Sequence, residues 1–240
     1  MRRIFIILAL MLCIANLNAQ QSTETGAQAV SNPVKQWTSS FTSIDVDAPI
    51  KLKLVPISVN DAPYIIYDTK GFETSKFSAE VDKGHVLKIR ERYDPKRTTM
   101  TEVTVYFNTL SDITIARADT YVEGTIECKL LDITISNDAT FIAELDVMDL
   151  KISISGNCCV ELSGDALYHT ADIATAKYNA ASLSTMSTTV EAHHNAEVRV
   201  DAEQRLVAKS TTGGKIFYKY EPELLRTEKT LFGVDITQLK

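Results

Sequence analysis

From residue 110 the chain begins to copy itself. The segment LSDITIARADTYVEG is followed by LLDITISNDATFIAE and then by LKISISGNCCVELSG. More divergent copies follow: ADIATAKYNAASL, TVEAHHNAEVRV and RLVAKSTTGGKIFY. The first aliphatic residues of the copies are Ile113, Ile133, Ile152, Ile173, Val190 and Leu206, at spacings of 20, 19, 21, 17 and 16. Two positions on lie Ile115, Ile135, Ile154, Thr175, Ala192 and Ala208. A unit this short cannot bury its own apolar side chains, so it must stack on its neighbours as a solenoid. Coils about 4.8 Å apart would set the isoleucine columns inward and Thr114, Thr134 and Ser153 outward. The second column shrinks from Ile to Thr to Ala, so the core should narrow toward the C-terminus or be filled there by another side chain. Residues that tolerate left-handed backbone mark the expected turns: Asn137 and Asp138, Gly156 and Asn157, Asn179, Asn195, Gly213 and Gly214.

The segment before the repeat also alternates apolar and polar residues with period two. IKLKL (50–54), VLKIR (86–90) and VTVYF (103–107) are examples, punctuated by Pro49, Pro56, Pro63, Gly71, Gly84 and Pro95. No 3.6-residue period is evident outside the first nineteen residues. The expected fold is all-β, a right-handed parallel β-helix with coils of about 20 residues and N-terminal strands at 41–108.

Residues 1–19 have a different character. Arg2 and Arg3 precede an apolar run over 4–15, and Ala19 supplies a small residue for cleavage. This pattern predicts a secretory signal peptide, with a flexible polar leader at 20–36 and the folded domain at 37–240. Cys13 raises a lipoprotein alternative, which Leu12 disfavours because acylation wants a small residue there. No stretch is long enough for a transmembrane span. The expected location is the periplasm, the outer-membrane surface or the medium. Cys128, Cys158 and Cys159 then remain. Three is odd, so the main expectation is buried, inert thiols, with a disulfide from Cys128 to Cys158 or Cys159 as the alternative. The formal charge of −6 argues against nucleic acid as a partner.

The copies resemble the auto-transporter adhesin head GIN-domain family of exported proteins from the Bacteroides group. The opening strand FTSIDV (41–46), the cycling strand LKISISG (150–156) and the closing turn IFYKYEP (216–222) carry the likeness, which runs from about residue 37 to 240. The chain departs from the pattern where S-G-S-G turns are replaced, as at Ala116 to Asp119 and at His193 to Asn195. The resemblance implies a β-solenoid with an adhesin-like role and no catalytic residues.

The residues themselves offer few chemical groupings. Asp112 and Asp132 fall at equivalent positions of adjacent coils, a spacing that suits calcium or a retaining glycosidase, yet both read as solvated, with Lys151 following as counter-charge. His193 and His194 point to opposite faces if they lie on a strand. Arg90, Arg92, Lys96 and Arg97 are interrupted by Glu91 and Asp94, as on a solvated strand end. Trp37, Tyr64, Tyr67, Tyr106, Tyr218 and Tyr220 read as core and edge packing, with stacking on sugar rings as the functional alternative. No catalytic, cofactor-binding or metal-ligating set emerges, and no cofactor is expected. The expected function is a non-enzymatic, adhesin-like binding module of the envelope whose partner is a glycan or protein at the cell surface. The alternatives are a β-helix polysaccharide lyase or hydrolase and a structural protein that self-associates as a homo-oligomer. An open solenoid end needs a partner or a cap, and residues 223–240 are the candidate cap.

Overall fold

The alternation of apolar and polar side chains produces strands almost throughout, with no α-helix among the described residues. The structure is a computed structural model that describes residues 31–71, 76–92, 95, 99–230, 232 and 236–239. The segment expected to be a signal peptide, Cys13, most of the expected leader, Lys96 and Arg97 lie outside these residues. The first strands are β1 (Val34–Trp37), β2 (Ser43–Asp47), β3 (Ile50–Pro56), β4 (Tyr64–Asp68), β5 (Phe77–Val81), β6 (Val86–Glu91) and β7 (Thr101–Phe107). The repeat opens with β8 (Asp112–Ala116) and β9 (Asp119–Ser136). It continues through β10 (Thr140–Ser155), β11 (Cys159–Ala174) and β12 (Lys177–His193). Shorter strands finish it: β13 (Glu197–Val200), β14 (Arg205–Ser210), β15 (Lys215–Tyr218), β16 (Leu224–Lys229) and β17 (Ile236–Gln238).

Strands β9 to β12 pair in parallel along nearly their whole length. They are long because they bend around corners without leaving the ladder. At one bend Gly164, with φ 97°, passes so close to β10 that a Cβ would collide with the Leu145 carbonyl oxygen. Only glycine fits there. The coils thus present an entry face, built on the N-terminal parts of these strands, a middle face, and an exit face built on their C-terminal parts. Spatial order departs from chain order near the N-terminus. Strands β2 and β3 are sandwiched between β6 and β7 on one side and β8 and β9 on the other. Antiparallel β5 on β6, β4 on β7 and β1 on β4 close that end. The sheet therefore starts at Val34, inside the segment expected to be leader. Just ahead of it, the Ser31 hydroxyl and the Asn32 N–H donate to the Asp68 carboxylate.

The expected isoleucine columns are present, but their later members shift. One column runs through Ile113, Ile133, Ile152, Ala171, Val190 and Ala208, at spacings of 20, 19, 19, 19 and 18. The next runs through Ile115, Ile135, Ile154, Ile173, Ala192 and Ser210. Ile173 therefore extends the second column, and Leu206 stands opposite Thr188 in a third. Thr175 lies in a turn at φ 57°, while Asn179, expected in a turn, is inside β12. The slip is two residues, so every affected aliphatic side chain still points inward. The columns of Ile113 to Ile154 are fully buried, and Thr114 and Thr134 are exposed.

Where the columns shrink to alanine, larger polar side chains fill the interior. His169 sits between Leu150 and Thr188 in the third column. Its Nε2 lies 2.8 Å from the Tyr178 hydroxyl, and its Nδ1 lies 3.4 Å from the Thr188 hydroxyl. Thr188 is 2.7 Å from Thr185, whose hydroxyl donates to the Asp201 carbonyl at 2.7 Å. His169, Tyr178, Thr185 and Thr188 are all buried. Burial pulls the His169 imidazole down to about 4 and pushes the Tyr178 phenol up. Both groups are therefore neutral near pH 7.

Candidate binding face

The outward side chains of the entry face form columns because parallel and antiparallel pairing alike keep period-two positions aligned. At the N-terminal end, Trp37 on β1 stands opposite Tyr64 on β4, and Tyr64 opposite Tyr106 on β7. Trp37 and Tyr64 have ring centroids 5.1 Å apart, and Tyr64 stacks on Tyr106 at 4.2 Å with only 16° between the planes. Trp37 is 62% exposed, while Tyr64 and Tyr106 are half-buried. The Lys35 ammonium lies over the first two rings, 4.0 Å from Trp37 and 3.8 Å from Tyr64. Such cation–π contacts stiffen a ring edge that would otherwise be loose.

The adjacent outward column runs through Lys35, Ile66, Thr104, Lys53, Tyr121 and Ile142. Beside the ring ladder it opens into a shallow, mainly apolar groove of about 450 Å³, lined by Leu52, Thr104, Tyr121 and Ile142 with the charged side chains Lys51, Lys53, Glu102 and Asp119 around them. Lys53 pairs with Glu123, whose hydrogen bond holds the ammonium above the usual lysine range. Tyr121 and Ile142 are exposed. Flat rings, a narrow apolar floor and flanking ammonium and hydroxyl groups can stack on a ring-shaped ligand and hydrogen-bond its rim.

Three of the aromatic positions singled out in the sequence lie elsewhere. Tyr67 packs inward against Phe77 at 4.6 Å, and Tyr218 is buried with its hydroxyl 3.0 Å from Glu221. Tyr220 is exposed near Lys219. Lys35, Lys53, Tyr121 and Ile142 complete the face and were not singled out, because only the cross-strand register brings them together.

Asp112 and Asp132 are direct neighbours on the exit face, as their spacing predicts, and Lys151 follows Asp132 in the next coil. Both carboxylates are exposed, and Asp112 accepts from the Ser43 and Ser111 hydroxyls at 3.1 and 2.6 Å. His193 turns to Asp172 at 2.6 Å while His194 faces solvent in a turn at φ 51°. Among the described residues no group of three His, Cys, Asp or Glu side chains is arranged to hold a metal. Arg90 is held by Asp45, donating to its backbone carbonyl at 2.7 Å and pairing with its carboxylate. Cys128, Cys158 and Cys159 are free thiols. Burial pushes the Cys128 and Cys158 thiols up, which keeps both protonated and unreactive. Cys159 is exposed.

Residues 40–222 match the family described as "Putative auto-transporter adhesin, head GIN domain". No curated protein matches the chain. Crystal structures share its fold at low identity. A "putative adhesin" from Bacteroides fragilis superposes with a TM-score of 0.73 at 16% identity, covering 87% of this chain and 96% of that one. A "putative lipid binding protein" from Parabacteroides distasonis gives 0.66 at 15%, covering 88% and 97%. A "putative adhesin" from Parabacteroides merdae gives 0.66 at 16%, covering 88% and 96%.

Proposed function

Because the chain belongs to the auto-transporter adhesin head GIN-domain family, we propose that it is an exported, adhesin-like module that binds a surface glycan through its entry face without turning it over. The observation that carries this reading is the Trp37, Tyr64 and Tyr106 ring ladder beside the Tyr121 and Ile142 groove. Exposed rings fixed by neighbouring rings and by Lys35 lose little freedom when a ligand docks. The basic, apolar start of the sequence supports export. Retention of an intact ligand is favoured by the carboxylates. Acid–base catalysis on a glycosidic bond needs two groups in unlike environments, and Asp112 and Asp132 share one exposed strand position in adjacent coils.

The test is a glycan array probed with the purified exported protein and with the Trp37→Ala, Tyr64→Ala double variant. Binding of at least one glycan class that weakens about tenfold or more in the variant supports the reading. Equal binding by both proteins, no glycan bound, or new reducing ends or unsaturated products in the incubated polysaccharide would each refute it.

A further inference from the structure

A second surface lies away from the ring ladder, at the corner between the middle and exit faces. There each coil turns two consecutive side chains outward: Lys129 and Leu130, Met148 and Asp149, Leu167 and Tyr168, Met186 and Ser187. The register stacks them. Asp149 stands between Leu130 and Tyr168, so Met148 lies opposite Leu167, and Leu167 in turn opposite Met186. Leu130 is 65% exposed, and Met148, Leu167 and Tyr168 are exposed as well. The ridge has ends. Its methionine and leucine column begins after Lys129 and stops at Gln204, whose backbone N–H bonds the Met186 carbonyl. An apolar centre with a polar rim is the anatomy of a protein-docking patch.

The middle-face side of this ridge is acidic, while the cations Lys129, Lys151 and Arg205 stand at its ends and on its exit-face side. On the adjoining middle face Glu127, Asp146 and Asp165 occupy directly successive rungs of the ladder. All three are exposed, and no basic side chain among the described residues pairs with them. Like charges on facing rungs oppose each other, so the free chain holds a repulsion that a cationic partner would relieve. The same carboxylates disfavour the other apolar occupants. An anionic bilayer would be repelled. A second copy docked symmetrically would set this acidic ladder close to its own image.

We infer that this corner is a docking surface for a protein segment in which apolar side chains are flanked by lysine or arginine. Leucine or methionine side chains of the segment would cover Met148, Leu167 and Tyr168, and its cations would neutralise Glu127, Asp146 and Asp165. Binding would leave the entry face free, so glycan and protein could be held together.

The probe is a synthetic peptide alternating leucine with lysine, compared with the same peptide carrying glutamate for lysine. Binding is followed by fluorescence anisotropy with the purified protein and with three double variants. These are Met148→Ser with Leu167→Ser, Asp146→Asn with Asp165→Asn, and Asp112→Asn with Asp132→Asn on the exit face. The expected result is binding of the lysine peptide alone, weakened about tenfold by each of the first two pairs and unchanged by the third. The asparagine pair removes a repulsion, so it tests the charge without endangering the fold. Equal binding of both peptides, or insensitivity to either of the first two pairs, would overturn the inference. So would flotation with phosphatidylethanolamine–phosphatidylglycerol vesicles that the serine pair abolishes, or a dimer in solution that the same pair dissociates. None of these outcomes depends on the glycan array.

Discussion

Among single residues, His169 is the one whose chemistry the fold most constrains. Every donor in its buried chain has one consistent direction. Thr185 gives its proton to the Asp201 carbonyl, so it accepts from Thr188, and Thr188 accepts from Nδ1–H of His169. Nε2 is then the acceptor for the Tyr178 hydroxyl. The network thus fixes a neutral imidazole with its proton on Nδ1. Protonating Nε2 would bury a charge and leave the Tyr178 O–H without its acceptor in a dry interior, in accord with an imidazole that burial holds down to about 4. The unfolded chain takes up this proton near pH 6.5, so between pH 6.5 and pH 4 it binds more protons than the native chain, and stability falls as pH falls. Urea melts at pH 7 and pH 4.5 should differ by about 2–3 kcal/mol from this group. His169→Leu, which restores the leucine of Leu131 and Leu150, should remove that pH dependence. It should cost stability at pH 7 by orphaning the Tyr178 hydroxyl, and Tyr178→Phe should recover part of the loss. Asp68 acts in a separate window. Its burial favours the neutral acid, but donors from Ser31, Lys70 and Asn32 prevail and hold the carboxyl well below the usual range. Its contribution is present above about pH 4 and is lost only below that. An unchanged melt between pH 7 and pH 4.5 would show that His169 is not enclosed as described.

Among strands, the column is the working unit. Ile154 touches Ile135 below and Ile173 above through the ladder register, and it is almost wholly buried. Ile154→Ala should therefore cost about 2–4 kcal/mol, from lost burial and from the cavity between two isoleucines. Thr134→Ala on the outer surface should stay within about half a kcal/mol of neutral. Equal midpoints in denaturant would contradict the stacked register. The parity of these positions was legible in the sequence because a period of two needs only local alternation. The assignment of Ile173 was not. With Ala171 in the Ile152 column, the aliphatic signal moved two places along, and a rule that follows the first large aliphatic residue moves with it. His169 escaped notice for a related reason: between Tyr168 and Thr170 it lies in a run that looks solvated, and only the columns of neighbouring coils show that its position faces inward. The rings of Trp37, Tyr64 and Tyr106 were visible as residues but not as a ladder. They meet through antiparallel pairings between segments about 27 and 42 residues apart in sequence, and long-range pairing leaves no local period to read.

At the scale of the whole molecule, the two ends of the solenoid are finished differently, and this predicts where it opens first. A stacked array is stabilised by contacts between neighbouring coils, so a terminal coil with one neighbour is held least. At the N-terminal end three antiparallel strands cover the stack, and the coil of β2 and β3 is gripped from both sides. At the C-terminal end β16 and β17 continue the parallel stack. Their inward positions turn polar: Thr227 follows Ala208, Lys229 follows Ser210, and Gln238 follows Tyr218. Leu225 and Ile236 still pack on the core, but both are only half-buried, and β16 is otherwise exposed. Strands β16 and β17 thus add a coil whose inward side chains turn polar, and among the described residues one strand edge of β16 is left outward. The charges of Arg226, Glu228 and Lys229 on that strand disfavour edge-to-edge pairing. Native-state hydrogen exchange should show amides of β16 and β17 opening well before those of β9 to β11, and β2 and β3 protected nearly as well as β10. Exchange in β16 as slow as in β10 would mean that another chain covers the open edge, and the same measurement repeated on dilution would reveal it as a concentration-dependent loss of protection.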